Sequence, residues 1–88
     1  MSKAPWVVRF ARRADRDIER LDPPVRKRVD EGIDRLAEGD PSADVRKLKG
    51  SDEMRLRVGD QRVRFERDDA KREILILRVL PRGRAYER

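Results

Sequence analysis

Apolar residues in this chain follow two different periods. Between Ala11 and Leu36 they recur every three or four positions, and between Met54 and Leu80 they alternate with polar residues or run together. The first period predicts helices and the second predicts strands. WVVRF at 6–10 is a short β-type run. The following segment places Ala11, Ala14, Ile18 and Leu21 on one helical face, giving a short first helix. Asp22 is expected to cap a second helix, with Pro23 and Pro24 in its first turn and Val25, Val29, Ile33 and Leu36 as its buried stripe. Gly39 and Pro41 end it, and GDPSAD is a loop into the later strands.

Everything after that loop reads as β. MRLRV at 54–58 and the segment 62–67 flank Gly59-Asp60, a two-residue hairpin signal, and counting outward from the turn sets the register. Val58 then faces Gln61, Arg57 faces Arg62, Leu56 faces Val63, Arg55 faces Arg64 and Met54 faces Phe65. Met54, Leu56, Val58, Val63 and Phe65 share one face; Arg55, Arg57, Arg62 and Arg64 share the other. RDDAK is the next turn, in which Asp68 and Asp69 are turn residues. EILILRVL is a nearly unbroken apolar run, suited to a central strand covered on both faces. The predicted fold is α+β, in the order β-α-α-β-β-β: a small, mostly antiparallel sheet with a two-helix hairpin packed on one face. Residues 1–88 form a single domain.

The four arginines pose a question of charge. Like charges directly opposed on a ladder are unfavourable, so stability alone does not select them. A solvated polar face with Asp52, Glu53 and Glu66 nearby is the plain explanation, and an anionic partner is the functional one. Composition favours the second. The chain has 24 basic and 18 acidic residues, net charge +6 and a pI near 10.5, and arginine's planar fork suits phosphate. Leu, Ile, Val and Phe make up 21 of the 88 residues, only slightly above the ~20% below which disorder is expected. The core is therefore thin, and a partner that adds stability is expected.

Missing residue types narrow the chemistry. Cysteine and histidine are absent, which removes disulfides, thiolate nucleophiles, the commonest metal ligand and the commonest acid–base catalyst. No metal site, cofactor loop or membrane span is expected, and a cytoplasmic location is. PRGRAYER at the C-terminus adds Arg82, Arg84 and the only tyrosine, Tyr86. That phenol is either a packing aromatic or a group that stacks on a base or exchanges a proton.

The WVVRF opening, the helix pair, KLKG at 47–50, the RLRVGDQRVRF hairpin and the closing VLPRGRAY together resemble the RelE/ParE superfamily of bacterial toxins, most closely its RelE branch. The resemblance spans nearly the whole chain. It implies the toxin of a type II toxin–antitoxin system, a metal-independent endoribonuclease that cuts mRNA in the ribosomal A site by attack of a ribose 2′-hydroxyl on the adjacent phosphate. It also implies a cognate antitoxin partner and no cofactor. Carried over by position, the catalytic residues are Arg55, Arg57, Arg62, Arg82 and Tyr86, with Lys47, Lys49, Arg64 and Arg84 binding RNA. Arg55 and Arg57 stand where relatives commonly carry lysines, and Pro81 stands where they often carry histidine or lysine. Because guanidinium is not an ordinary base, proton transfer falls to Tyr86 or to a carboxylate such as Glu53. The alternatives are a ParE-like, non-enzymatic inhibitor of DNA gyrase and a basic RNA-binding module without activity.

Overall fold

The computed structural model describes residues 5–83. In chain order the elements are β1 (Val7–Phe10), α1 (Arg12–Glu19), α2 (Pro23–Glu38), β2 (Asp44–Lys47), β3 (Met54–Val58), β4 (Gln61–Asp68) and β5 (Glu73–Pro81). One sheet runs β1-β5-β4-β3-β2, with β1 parallel to β5 and every other neighbour antiparallel. The expected α+β architecture is present with one strand more. β2 starts inside the tract read as a loop, and its four residues DVRK carry a single apolar side chain, Val45, opposite Leu56. One apolar position is too weak a signal for a strand, and a short charged strand suits a sheet edge.

The β3–β4 hairpin has all five residue pairs expected from the turn. Gly59 takes φ 56° and no positive φ falls on Asp60, the pattern of a type II′ turn that requires glycine first. Asp22 stands at the N-cap of α2, but its side chain makes no capping bond there. The two prolines that follow remove the amide hydrogens of the first two helical positions, so little is left for a carboxylate to accept. Closure of the helix pair falls instead to Arg26, whose guanidinium donates to the carbonyls of Glu19 and Leu21 at 3.1 and 3.3 Å. Gly39 ends α2 at φ 73°, with the Asp40 amide donating back to the Arg35 carbonyl.

The core lies between the helices and one face of the sheet. Val29, Ile33 and Leu36 of α2 and Ala14 of α1 are buried with Leu56, Val63, Phe65, Ile74, Ile76 and Val79. A bulge in β5 accounts for part of its long apolar run. Phe65 pairs with Ile76 and Arg64 with Arg78, so Leu77 is the extra residue. That insertion reverses the alternation, bringing Val79 to the same face as Ile74 and Ile76. The run was expected to be covered on both faces. Within this chain the helix side is covered throughout and the other side only in part: Leu80, paired with Arg62, is buried, but Leu75 remains 36% exposed.

Two contacts fix the helices on the sheet. Asp17 of α1 is buried, and one of its carboxylate oxygens accepts both from Nε of Arg78 at 2.8 Å and from the backbone N–H of Val79 at 2.9 Å, while the other accepts from Nη2 of Arg78 at 3.2 Å. Burial by itself would raise the pKa of this carboxyl. The hydrogen bonds from Arg78 and Val79 and the charges of Arg78 and Arg13 outweigh it, and the net shift is downward. At the second contact α2 passes so close to β3 that a Cβ on Gly32 would lie 2.6 Å from Cγ2 of Val58.

Two outcomes are expected. Asp17→Ala leaves the buried Val79 amide without its acceptor and Arg78 without its carboxylate, lowering unfolding free energy by about 3 kcal/mol in denaturant titration. Because the folded-state pKa is depressed, the wild type keeps this contribution above pH ~4 and loses it as pH falls through the folded value, whereas Asp17→Ala is less acid-sensitive there. Gly32→Ala gains up to ~1 kcal/mol of helix propensity but loses about 1–3 kcal/mol to overpacking against Val58. Net destabilisation is expected, and adding Val58→Ala should recover part of it in a double-mutant cycle.

Candidate anion-binding site

The face of the sheet opposite the helices carries the arginines. Arg57 and Arg62 form one cross-strand pair, and Arg55 and Arg64 form the next. β2 extends both rows, setting Asp44 beside Arg57 and Arg46 beside Arg55. Asp44, Arg46, Arg55, Arg57 and Arg62 line a concavity of about 180 Å³. Among the described residues, four arginines and one aspartate thus line a hollow with room for a phosphate group.

Their environments differ. Arg57 is exposed, but Arg62, on the polar face as its register predicts, is only 8% exposed. Its Nη1 donates to the carbonyls of Gly59 and Gln61 at 3.0 and 3.1 Å, which folds the side chain back onto the turn. Burial, followed by the charges of Arg57, Arg55 and Arg82, lowers the guanidinium's proton affinity, with Asp60 opposing. An arginine still remains charged at any physiological pH. Positive charge is therefore packed against positive charge, and a bound anion would relieve it.

Arg82 also belongs here: its backbone N–H donates to the Asp60 carbonyl at 2.7 Å, tying the end of β5 to the hairpin turn. Arg64 is engaged elsewhere. Its Nε donates to Oε2 of Glu53 at 2.8 Å and its Nη2 contacts the same oxygen, so much of its charge is offset and Glu53 is held in an ion pair. Lys49 is exposed in the β2–β3 turn, where Gly50 takes φ 73°. Lys47 is the cross-strand partner of Met54, on the helix-side parity, and lines a separate groove with Asp52, Glu66 and Glu73. Neither lysine lines the arginine concavity. Arg84 and Tyr86 lie outside the described residues.

Asp44 and Arg46 were not among the residues singled out in the sequence. The signal that would have found them is the Asp-Val-Arg alternation just before KLKG, extended across the Gly50 turn to pair with β3. Among the described residues no group of His, Cys, Asp or Glu is arranged to hold a metal ion, and no helix is long and apolar enough to cross a membrane.

The α+β fold, with a helix pair packed on a mostly antiparallel sheet, matches that of RelE-like structures. A family model described as the ParE toxin of type II toxin–antitoxin system, parDE, matches residues 8–86. The chain belongs to this toxin family, within the RelE/ParE superfamily of type II toxin–antitoxin systems. Among solved structures it is similar to the archaeal RelE–RelB complex from Pyrococcus horikoshii OT3, at 32% identity and TM-score 0.78, covering 93% of this chain and 100% of that one. It is also similar to the toxin–antitoxin complex RelBE2 from Mycobacterium tuberculosis, at 28% identity and TM-score 0.74, covering 90% and 100%. The isolated E. coli RelE toxin shares the fold, at 20% identity and TM-score 0.72 over 92% of this chain and 88% of that one. No curated protein matches the chain.

The clustered charge makes a prediction independent of biological role. Pyrophosphate at ten times its dissociation constant should add about 1.4 kcal/mol to stability, roughly 8 °C in melting temperature for a domain of this size. Sodium chloride at equal ionic strength should do less, and Arg57→Ala should abolish the difference. Equal shifts from the two salts would refute a specific anion site.

Proposed function

We propose that this chain is a ribosome-dependent mRNA endoribonuclease that inhibits translation. The observation that carries the reading is the concavity in which Arg46, Arg55, Arg57 and Arg62 converge with one carboxylate. Attack of a ribose 2′-oxygen on the neighbouring phosphorus produces a pentacoordinate transition state with more negative charge than the ground state. Fixed guanidiniums stabilise that added charge without reorganising during the step. Arg62 is held in place by the turn carbonyls, and Arg82 adds charge at the end of β5. Tyr86 is assigned here as the donor to the leaving 5′-oxygen, and Lys47, Lys49, Arg64 and Arg84 as contacts along the RNA backbone. No metal ion or cofactor is assigned to the step.

A cognate antitoxin is the expected protein partner. The matched structures from Pyrococcus horikoshii and Mycobacterium tuberculosis are toxin–antitoxin complexes, and the sheet face opposite the helices, with Leu75 and Arg57 exposed, has surface and charge for an acidic chain to cover. The second reading, inhibition of DNA gyrase, is favoured by the matching family model, which is that of ParE toxins.

Programmed ribosomes separate the two. The purified protein should cut mRNA in the A site, leaving a 2′,3′-cyclic phosphate, with gyrase supercoiling unaffected. Gyrase inhibition without cut mRNA would overturn the proposal in favour of the second reading. Arg57→Ala should slow single-turnover cleavage by about 10²–10³-fold with an unchanged or higher melting temperature, since its removal relieves like-charge repulsion. Tyr86→Phe should slow it by roughly 10²–10⁴-fold if the hydroxyl transfers a proton, and hardly at all if the ring only stacks.

A further inference from the structure

An arginine-lined site can stabilise an oxyanion but cannot take the proton from the attacking 2′-hydroxyl, because guanidinium stays protonated at all working pH values. A proton acceptor is therefore needed among the groups around the concavity. Of the described residues that line it, only Asp44 can accept a proton. Two further carboxylates lie near the hairpin, and neither lines the hollow: Glu53 is held by Arg64, and Asp60 stands in the turn, where its charge acts on Arg62. Asp44 is exposed, and among the described residues no ion pair occupies its carboxylate. It sits at the first position of β2, directly across from Arg57.

Resting on the endoribonuclease reading, we propose that Asp44 is the general base. As the 2′-oxygen forms its bond to phosphorus, the Asp44 carboxylate takes the hydroxyl proton. The bond from phosphorus to the 5′-oxygen breaks, and that oxygen takes a proton from Tyr86 or water. The products are a 2′,3′-cyclic phosphate and a 5′-hydroxyl, and Asp44 returns its proton to solvent. The described groups that line the hollow with Asp44 are Arg57 and Arg55 of β3, Arg62 of β4 and Arg46 of its own strand, all of them cationic.

The alternative is that Asp44 only offsets arginine charge. The two accounts predict opposite signs. Removing a charge-balancing carboxylate makes the site more positive, so Asp44→Asn would bind RNA more tightly and cleave as fast or faster. Removing a base slows cleavage while binding is kept or strengthened. The experiment is single-turnover cleavage on programmed ribosomes by the full-length wild type, Asp44→Asn and Asp44→Glu, with melting curves for each. Asp44→Asn is expected to be about 10²–10⁴-fold slower, with ribosome binding retained, and Asp44→Glu to recover part of the rate. A substrate with sulfur at the 5′-leaving position, which needs no proton donor, should leave Asp44→Asn slow while restoring Tyr86→Phe. Cleavage by Asp44→Asn within about threefold of wild type, or its rescue by the sulfur leaving group, would overturn the assignment to Asp44 alone. Absence of cleavage by the wild type would overturn the endoribonuclease reading, and this inference with it.

Discussion

The joint between α1 and β5 depends on one carboxylate. β1 pairs with β5 only as far as Ile76, so the next stretch of β5 has lost its neighbour on that side while still lying inside the fold. Asp17 reaches it from the helix, accepting the Val79 amide in place of a strand carbonyl and holding Arg78 through both of its oxygens. A buried amide without an acceptor costs about 1–3 kcal/mol, a large part of the stability of a chain with so little apolar surface to bury. The same contact holds β5 where its bulge is, and from there the strand runs on to Arg82.

Charge is distributed to opposite purposes on the two faces of the sheet. On the helix side the buried charge is paired: Asp17 is ionised at neutral pH because its partners overcome the effect of burial. On the other side Arg62 is buried beside Arg55, Arg57 and Arg82, and among the described residues its guanidinium donates to carbonyl oxygens alone. The first arrangement contributes to stability and the second detracts from it. Such strain in charge persists only where the surrounding structure fixes it, and here it is fixed by a glycine turn and a close helix contact at Val58. The unfavourable term is the part of the molecule best suited to a polyanion.

How much of this could be read from the chain differs by element. The hairpin could be read completely, because Gly59-Asp60 sets a register and strict alternation on both sides does the rest. Both helices were legible from Ala14, Ile18, Val29 and Ile33 at helical spacing. β2 was not, since Val45 is its only apolar side chain, and with it Asp44 and Arg46 dropped out of the site. The bulge at Leu77 was hidden for another reason: an extra residue in a strand makes an apolar run look as if it faced two cores. Asp17 lay in plain view between Ala14 and Ile18 on the buried face of α1. An acid there has meaning only once its partner, sixty-one positions along the chain, is known to be beside it.

The parallel pairing of β1 with β5 has a consequence for the order in which the molecule forms. Val8 must wait for Ile74, so the first strand to be synthesised cannot find its place until nearly all of the chain is present. Helices and the hairpin are local and form early, whereas this pairing spans almost the full length and is of the slow, non-local kind. Until it closes, Val7 and Phe10 have no sheet to join. The basic hollow, lined from β2, β3 and β4, rests on local antiparallel pairings and so can take shape before β1 is docked.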